Sequence, residues 1–298
     1  MSATPAAAAE LFRPALSRRR VAGHIFAGLC LAATLLSVVA LATLLADIAA
    51  EGLSLVSWRF LTRFPSTLDP LKGGIKSALW GTIWVIGLTI LFAVPLGMGA
   101  AIYLQEYARA GRIKHWIELN IANLAGVPAI VYGILGLALF VRWMHFDRSV
   151  LSAALTMSLL SLPVIIIATQ QALAAVPNTV REAAYALGAT RWQMVRSHVL
   201  PAALPGMMTG IILALSRAIG EAAPLVVLGA QTYIQFTPEG LFDMYTVLPI
   251  QVFDWADRPQ KEFHQLAAAG IVVLLAVLFV MNSVCVGLRG WQQRKHLG

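Results

Sequence analysis

The sequence predicts an all-α polytopic membrane protein with six transmembrane helices and both termini on the cytoplasmic side (N-in, C-in). Three observations predict it. Hydrophobic residues make up 59% of the 298 positions and charged residues 12%, against about 45–50% and 25% in an ordinary soluble domain. Six stretches (21–46, 78–104, 116–141, 150–173, 204–230 and 266–288) reach the roughly 20 mostly apolar residues that a spanning helix requires. Finally, the basic residues divide unequally between the two faces that these stretches define.

The tail 1–20 is basic, with Arg13, Arg18, Arg19 and Arg20, and leads into the first span, 21–46. A basic start before an apolar run is also how a signal peptide begins. This run exceeds the roughly 7–15 residues of a signal-peptide core and closes on no convincing cleavage site, so it is read as an uncleaved span. The outer loop 47–77 follows. Its Gly73-Gly74-Ile75-Lys76-Ser77 fails the spacing of a phosphate-binding loop, because Ile75 separates glycine from lysine. The segment 78–288 forms a core of five spans, interrupted by a cytoplasmic loop at 174–203 and an outer loop at 231–265. Residues 289–298 form a cytoplasmic tail. Several spans carry interior helix breakers: Pro95 with Gly97 and Gly99, Pro128 with Gly126 and Gly133, and Pro163. Gly206 and Gly210 form a GxxxG spacing, which permits close helix approach but is a weak signal in a Gly-rich chain.

With the N-terminus cytoplasmic, thirteen Lys and Arg residues fall inside and eight outside, Arg217 lying within a span. This placement accounts for the net charge of +8 without a nucleic-acid partner. Cys30 and Cys285 stand apart in apolar stretches, with no spacing suited to a metal or a disulfide framework.

Two segments carry chemistry. The first is the polar loop from Arg181 to Pro201. Residues 181–187 read as a short helix, Gly188 can end it in the left-handed conformation, and Thr190 can begin another. Ala183 and Ala184 offer a flat surface to a partner's groove, and Glu182 offers a carboxylate; Leu200-Pro201 closes the segment. An amphipathic interfacial helix with Arg191, Trp192 and Arg196 among lipid headgroups is the competing reading. The second segment holds Arg217 and Glu221, four residues apart and so on one face of an expected fifth span. Ionisable groups at that depth cost at least about 2.5–3.5 kcal/mol on insertion scales. They either neutralise each other or bind an ion. A guanidinium suits an oxyanion, and a nearby carboxylate would favour a protonated one such as hydrogen phosphate.

Glu182-Ala183-Ala184, then Gly188, then Leu200-Pro201 resembles the EAA loop of ATP-binding-cassette importer permeases. Arg217-Ala218-Ile219-Gly220-Glu221, running on to Ala222-Ala223-Pro224-Leu225, resembles the signature of the phosphate-specific PstA-type permeases. Gly81-Thr82, Pro95-Leu96-Gly97, Glu106-Tyr107, the stretch from Gly126 to Gly133 and Leu248-Pro249-Ile250-Gln251 extend the likeness over most of the chain beyond the first span. The related PstC type shares the loop and the Arg/Glu pair, but its motif continues differently. Ala222 replaces a usual threonine, and His198 a usual branched aliphatic residue.

The resemblance implies a type I importer permease fold in the bacterial inner membrane. It implies a heterodimer with a PstC-like permease, two ATPase subunits that bind ATP and Mg, and an extracytoplasmic phosphate-binding protein. It assigns substrate contact to Arg217 and Glu221, and ATPase coupling to Glu182, Ala183, Ala184, Gly188, Leu200 and Pro201. No cofactor or metal is expected in this chain, and no catalysis of its own. The alternatives are an importer for molybdate, sulfate or phosphonate, a proton-coupled carrier using Arg217 and Glu221 as a relay, and a sensory membrane protein.

Overall fold

A computed structural model describes residues 16–297, and the chain divides near residue 50 into two compact units. The first part of the expected N-terminal tail lies outside the described residues, as do the side chains of Arg18, Arg19, Arg289, Arg294 and Lys295. Helix α1 (Leu16–Gly52) carries the first unit. It is longer than the 21–46 span read from composition, because the residues on either side of that apolar run also favour helix.

The second unit holds the remaining helices. After the short α2 (Trp58–Thr62), capped by Ser57, α3 (Lys76–Ile102) continues through a π-helical turn, Tyr103–Tyr107. Then come α4 (Arg112–Ala125) and α5 (Ala129–Gly136), the latter prolonged by a π-helical stretch, Leu137–Trp143. Helix α6 (Val150–Ala174) precedes a polar connection that holds α7 (Asn178–Ala186) and α8 (Arg191–Met194). Helix α9 (Leu200–Gly220), the short α10 (Ala223–Leu228), α11 (Leu248–Ala256) and α12 (Lys261–Leu297) complete the chain.

Two expected spans differ. The 116–141 span is broken into α4 and α5, bent by 100° at Gly126–Pro128. The 204–230 span stops at Gly220. Proline explains both, since its ring clashes with the carbonyl four residues earlier and it has no N–H to give. Pro128 and Pro224 enforce their breaks, each with a glycine nearby. Pro95 and Pro163, by contrast, stay inside continuous helices. Their neighbourhood is tightly packed: a Cβ on Gly97 would lie 2.7 Å from Ile165.

The number of crossings follows from helix direction. Thr89 on α3 reaches the Ala154 carbonyl on α6, Gly97 faces Ile165, and Ala101 and Leu104 cluster with Ile166. Contacts advance together along both helices, so α3 and α6 run parallel. Each is long enough to cross about 30 Å of hydrocarbon. The chain between them must therefore return to the starting face, and the bent α4–α5 pair makes that return. With it the candidate spans among the described residues number six.

Helix α9 runs antiparallel to α6. A Cβ on Gly206 would lie 3.0 Å from the Ala172 methyl, and one on Gly210 2.3 Å from that of Ala168. The GxxxG thus meets two small residues at matching spacing, and the backbones approach closely. Near the start of α3, a Cβ on Gly81 would strike the Thr246 carbonyl. Beside it the Thr82 hydroxyl accepts the Leu248 N–H at 2.8 Å. That amide opens α11 and has no intrahelical acceptor, so α3 supplies the cap that α11 lacks. The loop 231–265 is anchored through α11, whose Leu248, Ile250 and Trp255 are buried.

Candidate functional site

Arg217 occupies the last turn of α9 and lines the rim of a small cavity, about 10 Å³, where α4 and α5 part. Leu124, Ala125 and Val127 line that pocket from the break, Tyr132 from α5 and Ser161 from α6. Ser161 lies near the midpoint of α6, which puts the pocket at mid-span depth. Irregular backbone at such depth is tolerated where it is buried in protein or lines a cavity. The break satisfies its own polar groups: the Leu124 carbonyl, denied a donor at Pro128, accepts the Tyr132 hydroxyl at 2.8 Å. A second discontinuity flanks the same place, since α9 ends at Gly220 and Gly133 of α5 packs on Pro224 of α10. Discontinuous helices meeting near the midplane form ion sites in membrane transport folds.

Glu221 is not on a helix face with Arg217. It leaves α9 with ψ 108° and is half-buried. No ion pair joins the two among the described residues, where the pairs are Lys72–Asp69, Lys114–Glu118, Arg181–Glu106 and Arg258–Asp254. The side chain of Arg217 is exposed in the lone chain. The positive N-terminal end of α5 begins beside Val127, and this adds to the attraction for an anion. A planar guanidinium fork can hold and orient an oxyanion; the cavity beside it, about 10 Å³, has room for about one water and not for such an ion.

The polar connection between α6 and α9 is a compact two-helix unit. Helix α7 ends at Ala186, and Gly188 has φ +78°. The turn is closed by the Gly188 N–H on the Tyr185 carbonyl and the Ala189 N–H on the Ala184 carbonyl. Thr190 and Gln193 cap α8 reciprocally. Glu182, Ala183, Tyr185, Leu187 and Gly188 are exposed, with Leu187 at 87%. Ala184 is not part of that surface: it is buried against Leu173, Val176, Met194 and Val199. Its small size lets α7 sit down on its own domain and leaves Ala183 and Glu182 to face outward. Leu200 and Pro201 start α9, prolonging a π-helical turn at Val195–Val199.

Sequence reading missed the strongest polar link. Arg181, just before Glu182, forms a two-pronged ion pair with Glu106 at the end of α3. Nη2 lies 2.7 Å from Oε1, and Nε lies 3.3 Å from Oε2. No periodicity joins residues so far apart in sequence.

Residues 93–295 match the family of binding-protein-dependent transport system inner membrane components. The chain belongs to that family. As a transport component it is a multi-pass protein of the inner membrane. Two curated relatives are named phosphate transport system permease proteins. PstA 1 of Mycobacterium tuberculosis is 34% identical over 94% of this chain and 92% of its own length. PstA of Yersinia pestis is 33% identical over 78% and 77%. Among solved structures, the inward-facing MetNI methionine ABC transporter covers 72% of this chain and 94% of the matched chain, with a TM-score of 0.60 at 17% identity. At that identity the likeness concerns the fold, which is that of an ABC importer permease.

Proposed function

We propose that this transport component is the PstA-type permease subunit of an ATP-driven phosphate importer. It pairs with a PstC-like permease and two ATPase subunits, which bind ATP and Mg, and receives phosphate from an extracytoplasmic binding protein. The chain forms half of the path and makes or breaks no covalent bond. Arg217 holds the ion briefly at the meeting point of the two helix breaks, with Glu221 at the edge of the same region. The exposed surface around Glu182, Ala183 and Gly188 docks in the ATPase cleft, and Ala184, Leu200 and Pro201 hold it on the spans. ATPase closure moves that surface and alternates access to the pocket.

The observation that carries the substrate class is the exposed Arg217 guanidinium at mid-span depth, without an ion-pair partner among the described residues. Phosphate in particular is supported by the names and identities of the relatives. A second reading, another oxyanion, is favoured by one feature. Without an Arg217–Glu221 pair, the geometry no longer prefers a protonated ion. ATP-dependent uptake of labelled phosphate into proteoliposomes holding the assembled complex tests both readings. Uptake should fall about tenfold or more in Arg217→Gln, the loss of one charge-assisted contact, with ATPase binding intact. Equal uptake in variant and native complexes overturns the role of Arg217. Inhibition of phosphate uptake by excess molybdate or sulfate, with transport of the competitor, overturns phosphate specificity.

A further inference from the structure

The buried ion pair between Arg181 and Glu106 lies outside the pocket and outside the exposed docking surface, yet it touches both halves of the machine. Its side chains are 15% and 5% exposed. Besides Glu106, Arg181 donates to the Leu173 carbonyl at 2.9 Å and the Val176 carbonyl at 2.8 Å. Leu173 is in the last turn of α6, where helical carbonyls lack their usual intrahelical donors, and Val176 follows in the connection to α7. One guanidinium therefore ties α7 to the last turn of α3 and to the end of α6. The adjacent Tyr107 ring takes the Arg191 guanidinium of α8 at 5.3 Å, a second tie between α3 and the loop. From those ends α3 and α6 run parallel, and the middle of α6 lines the Arg217 pocket.

We propose that Glu106 and Arg181 are positioning residues forming the rigid joint through which motion of the docking loop reaches α3 and α6. The inference rests on the importer reading above. It goes beyond that reading in placing transmission in this pair, not in the loop surface. A buried pair with auxiliary hydrogen bonds holds one geometry. If it is lost, α7 can move without dragging the span ends.

The test measures phosphate uptake and ATP hydrolysis together in proteoliposomes of the complete complex. The variants are Glu106→Gln, Arg181→Lys, and the double variant Glu106→Gln with Arg181→Gln. The double variant removes both charges and so avoids stranding one in the interior, which alone can unfold a protein. A rigid joint predicts that ATPase subunits stay bound while ATP hydrolysed per phosphate imported rises about fivefold or more in the double variant. Arg181→Lys should fall between it and native. A double variant with native stoichiometry overturns the proposal. So does loss of complex assembly in all three variants, which would make the pair an element of folding only. The native complex is the control: if it shows no ATP-dependent uptake, the importer reading fails, and this joint with it.

Discussion

Replacing Gly188 by alanine isolates a single physical term. The residue has φ +78°, and a Cβ built there meets nothing within 4 Å. Alanine therefore adds no clash, only the strain of an L-residue in the left-handed region, roughly 1–2 kcal/mol. That strain falls on a turn closed by two amides, Gly188 on Tyr185 at 2.9 Å and Ala189 on Ala184 at 3.1 Å. The equilibrium between closed and frayed turn should shift about 5–30-fold toward frayed. Amide hydrogen exchange of the permease freed of its ATPase subunits reads this directly, because Gly188 then faces open space. The Ala189 amide should exchange faster by that factor, while amides in the middle of α9 stay at native rates. Gly188→Asn should lie near native, because asparagine visits the left-handed region more readily. Native exchange in the alanine variant would refute the strain argument. So would equal acceleration by alanine and asparagine, which would point to a lost contact and not to backbone conformation.

The other perturbations probe packing and capping. Thr82→Val keeps shape but strands the buried Leu248 amide, now accepted at 2.8 Å. Thermal unfolding in detergent should show a loss of about 1–3 kcal/mol, and no loss would mean the amide finds another acceptor. Gly210→Val puts a Cβ 2.3 Å from the Ala168 methyl, an overpacking cost of about 1–3 kcal/mol. Gly87→Ala, with open space at its Cβ, should unfold near the native temperature, and equal destabilisation of both would discount the α6–α9 contact. Uptake by Arg217→Gln and the stoichiometry of the Glu106 and Arg181 variants complete the set.

Apolar run length sufficed for the helices that are continuous from end to end. The burial of Leu173 and Met207 or the exposure of Leu213 changes nothing in that reading, because a lipid-facing and a core-facing leucine look alike in sequence. Hydropathy failed at 116–141 and 204–230, since averaging cannot distinguish a proline that a packed helix absorbs from one that breaks it. The Gly/Pro clusters at Gly126–Pro128 and Gly220–Pro224 were visible as residues, yet their meaning depended on what surrounds them. Arg217 was likewise conspicuous as a charge within an apolar run. The cavity beside it, with Tyr132 and Ser161, was invisible, because side chains of α4, α5, α6 and α9 build it together.

By itself, the sequence determined the membrane class, the approximate spans, the loop with its αL glycine and the family likeness. Each depends on local composition or on short motifs, and chain connectivity preserves both. Only the tertiary structure decided that the crossing expected at 116–141 is broken into α4 and α5 and that Ala184 is buried while Ala183 is free. It also decided that Glu221 stands apart from Arg217 and that Glu106 holds Arg181. Those facts depend on helix direction, rotation and depth, which arise when close-packed helices choose their neighbours, and no window along the chain contains them.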